Sequence, residues 1–133
     1  MATQTQPLTR DQLAALPDSY FKAVDAQDVD AIVSHFADDA TLTVQTDHVT
    51  FNGAEEIRRM FADFVSNSNS IFHEIKNIVV EEAASKVATE QSYIGELTDG
   101  SRNDMHNCNF FDVGPDGRFT RVIIWMAGTN PLK

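Results

Sequence analysis

The chain has 133 residues, 42% hydrophobic and 23% charged, with 20 acidic against 10 basic side chains and a formal net charge of −10. That is the make-up of one globular domain able to bury a core, and not of a disordered or fibrous chain. The acidic balance argues against nucleic acid and anionic membranes as partners, no apolar run approaches the ~20 residues that span a bilayer, and a lone Cys108 excludes an internal disulfide.

The first ten residues, MATQTQPLTR, have neither a basic start nor an apolar core, so no secretory signal is expected and a cytoplasmic protein is. Residues 1–7 read as a flexible tail and residues 8–133 as a single domain. Thr9 with Gln12 three residues on has the form of a capping box. The helix it opens carries Leu13, Leu16, Tyr20 and Val24, and Pro17 is expected to kink or restart it. A break follows at Gln27-Asp28. Asp28 then caps a second helix, on which Val29, Ile32, Val33 and Phe36 keep the helical spacing until Asp38-Asp39. The alternation of Ala40-Thr41-Leu42-Thr43-Val44 starts a strand. Asp47-His48 turns it into a short return, Val49–Phe51.

In GAEEIRRMFADFVSNS the residues Ile57, Met60, Phe61, Phe64 and Val65 line one face of a helix. Asn52 is its expected cap, with Glu55 at the third helical position. Ser66–Ser70 reads as a polar loop. Four strands follow, over Ile71–Glu82, Lys86–Leu97, Arg102–Val113 and Arg118–Ala127. Thr98-Asp99-Gly100-Ser101 and Gly114-Pro115-Asp116-Gly117 are hairpin turns between them. Pro131 is expected to end the last structure. Helices first and an antiparallel meander after give an α+β domain, with all three helices on the concave side of one curved sheet.

Strand alternation divides the side chains. Val87, Thr89, Gln91 and Tyr93 form one enclosed set, and Met105, Asn107, Asn109, Phe111 and Val113 another. Amides and hydroxyls on an enclosed face must be hydrogen-bonded to protein, water or a ligand. The last strand is apolar on both faces, with Val122, Ile124 and Met126 on one and Phe119, Ile123 and Trp125 on the other. Its second face needs a cover, so a homodimer through Cys108, Phe110, Ile123 and Trp125 is expected.

The order of elements and the strings YFKAVDAQDVDAIVSHFADDAT, NGAEEIRRMF, HEIKN and GPDGRFTRVIIWMAG resemble the nuclear transport factor 2-like superfamily, and within it the SnoaL-like and ketosteroid-isomerase-like members. The resemblance covers nearly all of the chain after the tail. It implies a cystatin-like α+β barrel with a pocket between the curved sheet and the helices. Carried over residue by residue, the isomerases' oxyanion-hole tyrosine falls on Tyr20 and their protonated aspartate on Asn109, whose N–H donates the same hydrogen bond. Their general base falls on Val44, which cannot move a proton. Similarity to scytalone dehydratases places a histidine at His73 and an aspartate at Asp25, with their second histidine near Gln91. Arg102-x-Asp104 has the spacing of the epoxide hydrolases' Arg and Asp set, on another strand.

The resemblance therefore implies an enzyme of isomerase or lyase type, a dehydratase or cyclase, acting without a cofactor on a small, largely apolar molecule. Tyr20, His73, Asn109 and Asp25 are the candidate catalytic residues. His73 is the proton carrier, because an imidazole titrates near neutral pH. Gln91, Tyr93, Asn107, Phe61, Phe111, Ile124 and Met126 are the candidate ligand contacts. Each has a plainer alternative: a core tyrosine at Tyr20, a structural histidine at His73, a helix-end residue at Asp25, and Gln91 and Asn109 satisfying one another. No histidine or cysteine spacing fits a metal site. A non-catalytic ligand-binding or dimerisation domain of the same fold is the alternative function.

Overall fold

The structure, a computed structural model, describes residues 7–128. In chain order the elements are α1 (Arg10–Asp25), α2 (Val29–Val33), β1 (Phe36–Val44), a 3-10 turn (Gln45–Asp47), β2 (Val49–Asn52), α3 (Gly53–Ser66), β3 (Ser68–Glu81), β4 (Lys86–Leu97), β5 (Arg102–Val113) and β6 (Phe119–Trp125). One six-stranded sheet runs in the order β2-β1-β6-β5-β4-β3. Strands β3 to β6 form an antiparallel meander, as expected. Strand β1 pairs with β6 in parallel, which the hairpin turns did not foretell. The two edges, β2 and β3, do not meet, so the barrel is open. Among the described residues no helix is long and apolar enough to cross a membrane. The expected end at Pro131 lies outside the described residues, as do tail residues 1–6.

Helix α1 starts on the expected capping box. The Thr9 side chain accepts from Gln12 N at 3.2 Å and the Gln12 side chain accepts from Thr9 N at 2.9 Å. Thr9→Ala is expected to cost about 1 kcal/mol, read as a lower urea midpoint with an unchanged slope. Pro17 does not split the helix, which runs unbroken from Arg10 to Asp25. Pro17 is itself buried on the core face with Leu13, Tyr20, Phe21 and Val24, and that packing compensates the missing backbone hydrogen bond. Gln27, with φ 58°, makes the break, and the Asp28 side chain caps α2 through Ala31 N.

Several element ends differ from their expected places, among them β3, which spans Ser68–Glu81 and not Ile71–Glu82, and β6, which spans Phe119–Trp125 and not Arg118–Ala127. Helix α2 ends at Val33, not at Asp38-Asp39, because the His35 carbonyl is taken by Phe119 N at 2.7 Å. That bond starts β1 at Phe36. Asn52 makes no side-chain cap on α3; Gly53, with φ 86°, turns the chain so that Glu56 rather than Glu55 reaches back to Asn52 N at 2.8 Å. The polar stretch Ser66–Ser70 is mostly strand, since Ser68 bonds back to the Phe64 carbonyl and pairs with Leu97.

The core lies between the sheet and the helices. Tyr20 sits at its centre, with the rings of Phe21, Phe36, Phe61, Phe111 and Phe119 within 5.1–6.2 Å. Phe119 belongs to this cluster and not to the outer face. The β5–β6 register shifts between Asp112 and Val113, so Phe119 pairs with Val113 and turns inward, leaving no exposed surface.

Candidate functional site

A small cavity of ≈ 30 Å³ opens between α1, α3 and the inner face of β3 to β6. A single water needs about 10–15 Å³ of such space. Tyr20, Phe21 and Val24 line it from α1, and Phe61 and Phe64 from α3. The sheet contributes His73, Gln91, Tyr93, Asn107, Asn109, Ile124 and Met126. Tyr20, His73, Gln91, Tyr93, Asn107, Asn109, Phe61, Ile124 and Met126 thus converge on one space. Phe111 does not line it; fully buried, it packs behind Tyr20 and against Phe119. Val44, at the isomerase base position, is buried in the core away from the cavity, and Arg102 and Asp104 are exposed.

Asp25 is not a cavity wall. It stands behind His73, and both of its oxygens are spent on that residue. Oδ1 lies 2.6 Å from His73 Nδ1, and Oδ2 accepts from the His73 backbone N–H at 2.9 Å. A carboxylate only accepts, so Nδ1 carries a proton, and in the neutral ring Nε2 keeps the lone pair. His73 itself is a wall residue of the cavity. The site for Asp25 is unusual in itself, for a carboxylate in the last turn of α1 opposes the helix dipole. Its two hydrogen bonds to His73 compensate that repulsion. The imidazole is also stacked on both faces, on Phe21 at 4.8 Å and 24° and on Tyr93 at 5.2 Å and 29°. Phe21 and Asp25 are four apart on α1 and meet the same histidine. That spacing is legible in the sequence, yet it marks Phe21 only once the position of His73 is known.

The amides make a fixed chain. Thr89 Oγ1 donates to Gln91 Oε1 at 2.7 Å, and Gln91 Nε2 donates to Asn109 Oδ1 at 2.9 Å. Gln91 and Asn109 do satisfy one another, but with Oδ1 taken the Asn109 NH₂ is left as the end that donates. Asn107 is oriented without ambiguity. Its Oδ1 accepts from Ala127 N at 3.2 Å, a backbone group that only donates, so its NH₂ is the free end. Met126 is held beside it, its N–H donating to Thr46 Oγ1 at 2.7 Å.

Burial holds the Tyr20 phenol far above its ordinary range, so this hydroxyl stays protonated and able to donate. Burial also pushes the Tyr93 phenol up, and the neighbouring Asn103 amide pulls it partly back. Neither the Tyr93 hydroxyl nor Asn103 Nδ2 completes a hydrogen bond of good geometry within the protein. Among the described residues no lysine or arginine lines the cavity. Cys108 stands on the opposite face of the sheet, across from Trp125.

Solved structures share this architecture. BvnE pinacolase from Penicillium brevicompactum matches with a TM-score of 0.78 at 16% identity, covering 88% of this chain and 86% of that one. PrhC from Penicillium brasilianum matches with a TM-score of 0.81 at 17% identity, over 90% and 83%. The epoxide hydrolase/cyclase-like enzyme SalBIII of pyran ring formation in salinomycin matches with a TM-score of 0.80 at 19% identity, over 94% and 95%. At these identities the likeness is one of fold. A comparison with curated protein sequences finds no match. The family described as the SnoaL-like domain matches residues 18–122, from the middle of α1 to the middle of β6, and the chain belongs to that family.

Proposed function

We propose that the protein is a cofactor-free acid–base catalyst of isomerase or lyase type, which moves a proton on a small, neutral, largely apolar molecule held in this cavity. The observation that carries the reading is the Asp25–His73 pair at the cavity wall, whose geometry fixes the neutral ring as the Nδ1–H tautomer and keeps Nε2 as its acceptor nitrogen. Nε2 takes the proton. The Asp25 carboxylate stabilises the charge that develops on the ring. Tyr20, Asn109 and Asn107 supply neutral donors for an oxygen that gains negative charge as the C–H bond breaks. Because these donors are neutral and no lysine or arginine among the described residues lines the cavity, a carbonyl or ether oxygen suits it better than a carboxylate or phosphate. Of the proteins that share the fold, SalBIII is an epoxide hydrolase/cyclase-like enzyme and BvnE a pinacolase, which supports an enzymatic reading.

A non-catalytic binding domain is the second reading. Val44 at the isomerases' base position and a cavity of only ≈ 30 Å³ favour it. Deuterium incorporation separates the two. In D₂O, a panel of small neutral ketones and enones is expected to exchange α-protons faster with the protein than in buffer of the same pH, as seen by NMR. Rates equal to buffer across the panel would overturn the catalytic reading. The proposal also includes pairing of two copies through the outer sheet face.

A further inference from the structure

The geometry points to Gly95 as a positioning residue for His73, acting through the ring of Tyr93. Gly95 lies inside β4, buried and opposite Asn103, and its backbone is not in the left-handed region. A glycine inside a strand weakens it and calls for a reason in packing. Here the reason is Tyr93, two residues earlier and on the same face. A Cβ at position 95 would lie 2.8 Å from Tyr93 Cζ and 2.9 Å from Cε1, and closer still to the hydroxyl. Real Cβ atoms do not come so near, so the Tyr93 ring takes this place beside position 95 only because that position has no side chain.

The consequence reaches His73. Tyr93 and His73 are directly opposite across β3 and β4. The Tyr93 ring forms one slice of bread around the imidazole, and Phe21 the other. Phe64 also packs edge-on against Tyr93, at 6.1 Å between centroids and 62° between planes, and restricts the ring further. A side chain at 95 would displace Tyr93 and take the stack from one face of His73. Only Asp25 and Phe21 would then hold the imidazole, and its rotation about Cβ–Cγ would no longer be blocked on the Tyr93 side. The inference deepens the acid–base reading, because a fixed imidazole plane matters most where Nε2 must meet a proton.

The test is an NMR titration of the histidine ring protons without substrate, so that it reads positioning and not turnover. The His73 resonance among the four histidines is assigned by its loss in His73→Gln. In the wild-type protein it is expected upfield, between two ring faces. Gly95→Ala is expected to move it to the position seen in Tyr93→Leu, and to add nothing in the Tyr93→Leu background. A His73 resonance and titration left at wild-type values in a folded Gly95→Ala protein would overturn the inference, as would effects of the two substitutions that simply add. If Gly95→Ala does not fold, Gly95→Ala/Tyr93→Leu is expected to fold again, since the clashing ring is gone; a double variant as unfolded as the single one overturns it.

Discussion

His73→Ala is expected to lower turnover by about 10²-fold or more, the usual contribution of a positioned general acid or base. This is equivalent to about 2.7 kcal/mol of transition-state stabilisation. The loss should fall on kcat and leave KM nearly unchanged, because the apolar walls and the neutral donors remain. Asp25→Asn should come close to the same loss without removing the ring. An amide at position 25 can donate to Nδ1, which moves the ring proton to Nε2 and turns the base into a donor. Tyr20→Phe is expected to cost less, because Asn109 and Asn107 still offer donors to the developing oxyanion. Steady-state kinetics on a substrate found by deuterium exchange, with circular dichroism to confirm folding, checks the series. A His73→Ala protein that keeps full turnover would remove the proposed base.

Trp125→Glu is expected to convert a dimer into a monomer. Val79, Ala88, Phe110 and Ile123 lie in register across β3, β4, β5 and β6 on the outer face of the sheet. Trp125 stands next to this row, opposite Cys108. Val79 is 58% exposed, Phe110 48% and Trp125 49%, and a groove of ≈ 480 Å³ runs between them. Ile123, at 8%, is already covered within one chain, so it contributes less than its position suggests, whereas Val79 contributes more. Lys86, Asp112 and Arg121 form a polar rim, with Lys86 Nζ 3.0 Å from Asp112. These three side chains are already about half covered, so burying the rest is worth about 1 kcal/mol each, before the cost of association. A glutamate at 125 stays hydrated in the monomer but becomes an unpaired charge in the interface, which costs about 3–5 kcal/mol. Glu90, beyond Cys108 on the same face, adds like charge. The dimer dissociation constant should therefore rise about 10²-fold or more. Sedimentation or light scattering checks it: a wild-type protein that is monomeric at micromolar concentration, or a Trp125→Glu protein that remains dimeric, overturns the pairing.

Much of the cavity wall is legible because it follows from strand alternation. The backbone pleat alone places Thr89, Gln91 and Tyr93 on one face of β4, and Asn107 and Asn109 on one face of β5. Those two strands have their expected bounds to the residue, since hairpin turns delimit both. The position of Tyr20 on α1 follows in the same way from the helical repeat. Where alternation was carried across β6 it failed at Phe119, because one extra residue opposite Asp112 and Val113 changes the face of everything before it. Nothing in a window of ten residues marks that bulge.

The local spacing of apolar and polar residues determined α1, α3, the meander and the two polar strand faces, because helical and strand periodicity are properties of the backbone itself. Only the tertiary structure decided what those faces meet. Asp25 and His73 are 48 positions apart, and their pairing depends on where α1 crosses β3. The parallel contact of β1 with β6 joins elements separated by most of the chain. Gly95 and Tyr93 are two residues apart, yet the notch between them exists only in the rotamer that His73 and Phe64 impose on the tyrosine. Long-range pairings and rotamers are set by the sum of packing over the whole core, and no local stretch of sequence contains that sum.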